Sequence, residues 1–202
     1  MKQIIVMWCT RMRVKRTEVK HISEVLIGKF AFHINVDIEG VEIDNKELAE
    51  QAMHFNNVVL TGREPLEQRE EVANFINKLR TRNKDNTIII ETHGTIIPIG
   101  VSNADGLMFI VNPLLKCTGG NFEDRIKQKA FNWFVDLRCN FKFMVGDGDD
   151  FDEVGMLINT FGIKKSSIYL MAYDLVGMKY VASRAKMLGV NFSPKLDEVL
   201  EE

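Results

Sequence analysis

Short apolar runs of strand length alternate with stretches of helical period along most of this chain, and that alternation restricts its fold more than any other feature. Strands are expected at residues 3–8, 32–38, 57–61, 87–91, 107–111, 141–145 and 168–171, all rich in Ile, Val, Leu and Phe. Runs so continuously apolar suit strands covered on both faces, as in parallel sheets built from βαβ units. Between them, Val72, Phe75, Ile76 and Leu79 repeat at helical spacing, as do Val154, Leu157, Ile158 and Phe161, and then Met178, Val181, Ala182 and Ala185. A further helix is expected over residues 45–55, with Asp44 as N-cap and Glu47 three residues on, and Pro65 should open another. The pattern predicts an α/β fold.

The 202 residues fit one domain, and no repeat or low-complexity linker divides them. A hydrophobic share of 46% with 27% charged residues argues against disorder and against a membrane protein. Residues 4–8 are too short for a secretory signal core, and the basic residues follow that run rather than precede it, so a cytoplasmic protein without membrane partners is expected. Cys9, Cys117 and Cys139 are widely spaced, with no C-x-x-C, which points to reduced thiols and to no metal site. Irregular loops are expected over residues 112–122 and 146–149.

Residues 56–68, N-N-V-V-L-T-G-R-E-P-L-E-Q, read as strand, tight turn and helix, and ligands of α/β folds gather at such strand ends. Gly62 gives the turn backbone freedom. Glu64 would project a carboxylate suited to an ammonium group, or would simply answer the dipole of the helix that follows.

The T-G-R-E-P-L of residues 61–66 resembles the T-G-G-E-P-L of 7-carboxy-7-deazaguanine synthases, of the radical S-adenosylmethionine superfamily. E-T-H-G-T (91–95) is similar to that family's E-T-N-G-T, and N-P-L-L-K-C-T-G (112–119) stands in place of S-P-K-L-S-x-S-G. F-K-F-M-V (141–145), I-Y-L-M-A (168–172) and F-S-P-K-L (192–196) resemble L-K-F-V-V, V-Y-L-M-P and S-P-R-L-H in the same order. The resemblance implies an incomplete TIM-like barrel of mostly parallel strands. It also implies a residual S-adenosylmethionine site at Thr61, Gly62, Glu64, Glu91, Thr92 and Asn112.

The resemblance breaks where the chemistry of that family resides. Three thiolates from a Cys-rich loop after the first strand hold its four-iron cluster, but residues 10–56 contain no cysteine, and Cys9 stands alone. Residues 1–43 therefore read as a shortened, rebuilt region in place of the cluster loop. Without a cluster there is no electron donor to cleave S-adenosylmethionine. Arg63 replaces the second glycine of the turn, Leu114 a lysine, Asn112 a serine, Ala172 a proline and Asp197 a histidine. No catalytic residue and no 4Fe-4S cluster are expected, and S-adenosylmethionine is the one cofactor left open.

Two charged stretches remain. Arg11, Arg13, Lys15 and Arg16 alternate with Met12 and Val14, and Lys20 follows, forming a basic ribbon that suits a protein partner, a second copy or nucleic acid. Its alternative is a solvent-facing edge strand or hairpin whose charges deter aggregation. Asp147, Asp149, Asp150, Asp152 and Glu153 offer oxygen donors for a hard cation, or a carboxylate-rich helix N-terminus. The expected function is that of a non-catalytic relative of the synthases that binds a protein, nucleic acid or small ligand. The alternative is an enzyme of 7-deazaguanine and queuosine synthesis whose cluster a partner completes.

Overall fold

The computed structural model describes residues 11–22, 29–101 and 106–200; the strand expected at residues 3–8, Cys9 and Ser102 lie outside these. In chain order the elements are β1 (Arg11–His21), β2 (Phe30–Val36), β3 (Val41–Asp44), α1 (Asn45–Ala52), β4 (Asn57–Gly62), α2 (Arg69–Arg80), β5 (Thr87–Thr92) and β6 (Leu107–Val111). Then follow α3 (Phe122–Arg125), α4 (Gln128–Asp136), β7 (Asn140–Val145), α5 (Gly148–Phe161), β8 (Ile168–Ala172), α6 (Met178–Leu188), β9 (Asn191–Ser193) and α7 (Leu196–Leu200). The strands form one open sheet in the order β3-β1-β2-β4-β5-β6-β7-β8-β9. Every neighbouring pair from β2 to β9 is parallel, and β1 runs antiparallel to β2 and β3. This is the mostly parallel, unclosed partial barrel that the resemblance implied, within the α/β class that the alternation predicted.

Alternation along each strand sends two different populations to the two faces. Phe32, Ile34, Leu60, Ile90, Phe143 and Leu170 join the helix residues Leu48, Phe75, Phe131, Val154 and Val181 in the main core. Fully burying each such side chain contributes about 1.5–3 kcal/mol, and Phe143→Ala would cost about 3–5 kcal/mol. A smaller cluster, Ala31, Val59, Ile89 and Ile110, lies on the opposite parity of the same strands. Beyond it toward the carboxyl edge that parity carries His33, Asn35, Thr61, Glu91 and Lys142, so the second face turns polar where the strands end.

Element ends differ from expectation where polar groups close them. Strand β2 stops at Val36 because Asp37 turns the chain, its carboxylate accepting from the Glu39 amide at 3.0 Å. Gly40 then passes over β1 so closely that a Cβ there would lie 2.5 Å from the Val14 carbonyl carbon. Helix α1 has Asp44 as its N-cap, accepting from the Lys46 amide at 2.6 Å, and it ends at Ala52 rather than at 55. Pro65 opens a 3-10 turn, Pro65–Gln68, that leads into α2. The loop expected at 146–149 is shorter, since α5 begins at Gly148 with Asp147 as its N-cap. Similarly, residues 112–122 include a 3-10 turn, Lys116–Thr118.

The basic ribbon forms β1, which is not an edge strand but pairs antiparallel with the following strand β2, as in the hairpin alternative. Met12 and Val14 are buried in the main core, and β3, only four residues long, pairs outside β1 through Arg11↔Asp44 to Val14↔Val41. Among the described residues no helix is long and apolar enough to cross a membrane.

Candidate ligand site at the carboxyl edge of the sheet

The turn after β4 is set by Gly62, whose φ of +122° is closed to most side chains. A Cβ there would also sit 2.2 Å from the Val36 carbonyl oxygen of the neighbouring strand. Glu64 follows in extended conformation and caps the Pro65–Gln68 turn, accepting from the Leu66 amide at 3.2 Å. Its other oxygen accepts from the Thr92 hydroxyl at 2.9 Å and the His93 amide at 3.0 Å. Glu64 is only 6% exposed, so this carboxylate ties the ends of β4 and β5 together rather than projecting into solvent. Burial raises its pKa above the ordinary carboxylate value, against the pull of the Thr92, Leu66 and His93 hydrogen bonds.

Glu91, at the end of β5 on the polar face, is closed in a similar way. It accepts from the Thr61 hydroxyl at 2.7 Å and from the Lys142 ammonium at 2.9 Å. Burial would raise its pKa, but Lys142 and Thr61 override burial and hold it below the ordinary range. Asn112 continues the edge: its amide donates to the Thr92 carbonyl at 2.7 Å. The His93 Nδ1 lies 3.0 Å from the Asn112 carbonyl, so that nitrogen carries the proton. The structure thus gathers Thr61, Gly62, Glu64, Glu91, Thr92 and Asn112 along one edge, with Thr61 bonded to Glu91, Thr92 to Glu64 and Asn112 to Thr92.

Lys142 belongs to this cluster and was not singled out from the sequence, where it sits inside an apolar run. A signal was present: alternation puts it on the face opposite Phe141 and Phe143.

The acidic stretch serves the adjoining loop. Asp147 accepts from the Asp150 amide at 3.1 Å, as an N-cap does. Asp150, fully buried, accepts from the Gly146 amide at 2.8 Å and the Cys117 amide at 3.1 Å. Glu153 accepts from the Lys116 amide at 2.6 Å and pairs with Arg125 at 2.8 Å. These carboxylates fasten residues 114–125 to the start of α5.

A cleft of about 410 Å³ opens beside the turn, between β1 and the ends of β2 and β4. Lys15, Arg16 and Arg63 supply cations to its walls, Asp37 one carboxylate, and Asn35, Thr61 and Gly62 the rest. Lys15 is the extra residue of a β-bulge, since Val14 faces Val36 while Arg16 faces Asn35. The ribbon is divided by its other contacts. Arg13 bonds the Ile38 carbonyl at 2.9 Å and Glu42 at 3.3 Å, while Arg16 and Lys20 both meet Glu18 at 3.1 Å.

Neither a protein-family model nor a curated protein sequence matches the chain. Among solved structures, QueE from Escherichia coli superposes with a TM-score of 0.68 over 92% of this chain and 94% of its own, at 15% identity. The fold is that of QueE. Streptococcus suis SuiB, solved bound to S-adenosylmethionine, matches with a TM-score of 0.52 over 74% of this chain and 40% of its own, at 14% identity. Both likenesses are of fold.

Among the described residues the first strand of the parallel run is β2, from which β3 and α1 lead to β4 and the T-G-R-E turn. The segment after that strand is residues 37–40, within the region 1–43 expected to stand in place of a cluster loop, and the ribbon precedes it. Those residues carry Asp37 and Glu39, hard oxygen donors, where a four-iron cluster takes thiolates. Cys117 adjoins Gly146 past the end of β7, and Cys139 precedes its start, so the length of a strand, roughly 20 Å for six residues at ~3.3 Å each, separates them. Burial and Asp150 push the Cys117 thiol up to about 11, and burial pushes Cys139 up to about 12. A cluster needs its thiolates within one coordination sphere, so Cys117 and Cys139, a strand's length apart, do not fit a cluster held by three cysteines of this chain.

Proposed function

We propose that the chain is a non-catalytic relative of 7-carboxy-7-deazaguanine synthase that acts by binding, with the carboxyl edge of β2 and β4 as its binding face. The observation that carries this reading is the segment after β2, the first parallel strand among the described residues: a tight turn of residues 37–40 bearing two carboxylates and no cysteine. Cys117 and Cys139 lie too far apart to substitute jointly. The closure of Glu64 and Glu91 onto Thr92, Thr61 and Lys142 supports the same reading, because these groups stabilise the edge without a ligand. Thr61, Gly62, Glu64, Glu91, Thr92 and Asn112 remain the residues that a bound S-adenosylmethionine would meet. The exposed cations of β1 are the proposed approach for a partner.

Anaerobic reconstitution with iron and sulfide, followed by electron paramagnetic resonance of the reduced protein, tests this reading. The expected result is no stoichiometric four-iron signal. A signal that changes on adding S-adenosylmethionine would overturn the proposal in favour of a radical enzyme of 7-deazaguanine synthesis. If the signal arose only with a second protein present, a cluster completed by a partner would be the answer.

A further inference from the structure

We propose that the cleft between the Lys15–Arg16 bulge and the T-G-R-E turn binds the diphosphate group of a small phosphorylated ligand. The inference extends the reading above in one respect, that the space beside residues 37–40 is open to a ligand rather than to a cluster.

Charge comes first. Lys15 and Arg16 approach from β1 and Arg63 from the turn after β4, against the single carboxylate of Asp37. That carboxylate already accepts from the Glu39 amide, and among the described residues it forms no ion pair with the three cations. Arg63 reaches Glu39 only at 3.9 Å, with both side chains mostly exposed, an arrangement that a phosphate oxygen would readily displace. Arg16 is held from behind by Glu18 at 3.1 Å, and among the described residues Lys15 has no acidic partner.

Backbone form agrees with charge. The bulge at Lys15 interrupts the alternation that would otherwise send successive side chains to opposite faces, and both Lys15 and Arg16 line the cleft. Gly62 contributes no side chain to the floor, and Asn35 lies over it: a Cβ at 62 would come within 3.0 Å of the Asn35 side-chain oxygen.

Size and surroundings favour a small ligand over a nucleic acid. About 410 Å³ falls in the range of small-molecule sites, ~300–1,000 Å³. Among the described residues no aromatic side chain lines the cleft to stack a base. The whole chain carries a net charge of -2, which gives no general attraction to a polyanion, and beyond the cleft Arg13 pairs with Glu42. Two linked phosphates offer enough acceptors to meet cations on both walls at once.

Isothermal titration of the full chain with pyrophosphate at low ionic strength tests this. Saturable binding at one site is expected, weakened about tenfold by Arg63→Ser and further by Lys15→Ser with Arg16→Ser, since a hydrogen bond to a charged group accounts for about that factor. Lys129→Ser, on the exposed surface of α4, should leave it unchanged, and matched circular dichroism melts should show every variant folded. Absence of binding, or binding that the cleft variants do not weaken, would overturn the inference while leaving the cluster experiment to decide the non-catalytic reading. A single-stranded oligonucleotide bound more tightly than pyrophosphate, with affinity lost on changing Arg11 and Lys20, would also overturn it in favour of a nucleic-acid track.

Discussion

Charge is handled in two ways along the carboxyl edge of this sheet. Around Glu64 and Glu91 it is closed onto the protein, each carboxylate holding groups from a neighbouring strand end. Across the cleft, Lys15 and Arg63 keep their charge toward solvent, and Arg63 touches its nearest acid only at 3.9 Å. The first arrangement makes the edge rigid, and the second leaves electrostatic attraction unanswered. Residues that resemble a ligand-binding motif thus act as structural ties, whereas the residue that departs from the motif faces the open space.

The largest effect that would test this contrast comes from breaking the Glu91 pair. Lys142→Met leaves the Glu91 carboxylate mostly buried with Thr61 alone, and removal of one partner from such a pair costs about 3–5 kcal/mol. Urea unfolding should show the midpoint fall with an unchanged slope. The double variant Lys142→Met with Glu91→Leu should recover most of the loss, because it removes the stranded charge as well. A Lys142→Met protein as stable as the parent would mean that this edge is not closed.

Glu64 gives the next effect. Glu64→Ala leaves the Leu66 and His93 amides without their acceptor and should cost about 2–3 kcal/mol. Glu64→Gln keeps one acceptor oxygen and should cost about 1 kcal/mol. An equal loss in the two variants would make Glu64 a packing group rather than a hydrogen-bonded tie.

The same two carboxylates should leave opposite marks on stability against pH. The Glu91 pKa is lowered by folding, so its contribution is present above its ordinary 4.5 and is lost as pH falls through the folded value. The Glu64 pKa is raised, so its contribution is present below 4.5 and is lost as pH rises through the folded value. Relative to the parent, Glu64→Gln should therefore gain stability as pH rises above 4.5, and Glu91→Gln should flatten the loss below it. Parallel unfolding curves across that range would sink both assignments.

The central strands were legible because burial on both faces leaves a continuous apolar run, and the turn at Gly62 was legible because few residues other than glycine adopt its φ. Strands β3 and β9 span four and three residues, too few to show a period, and they take their form from neighbours already in place. Helix α4 buries Ala130, Phe131 and Phe134 on one face, a stripe that could have been read from the sequence but spans only nine residues, too few turns to repeat it. The Glu91–Lys142 contact joins positions 51 residues apart, and local patterning holds no information on such a pairing. In the cleft, Arg63 was visible as a departure and Lys15 as part of a ribbon. Only the register of β1 on β2, with its bulge, brings them to one place.

The smallest effect sharpens the contrast most. Arg63 is mostly exposed, and its only ion pair, among the described residues, is the 3.9 Å approach to Glu39. Exposed pairs contribute ~0–1 kcal/mol, so Arg63→Ser should shift stability by no more than about 0.5 kcal/mol, within the usual scatter of surface substitutions. The same change should weaken pyrophosphate binding about tenfold, which corresponds to about 1.4 kcal/mol. A residue that matters more to a ligand than to the fold is placed for binding, whereas Lys142 should show the reverse order. Should Arg63→Ser destabilise the protein as much as it weakens the ligand, the open side of the edge would be structural like the closed side, and the distinction between them would fail.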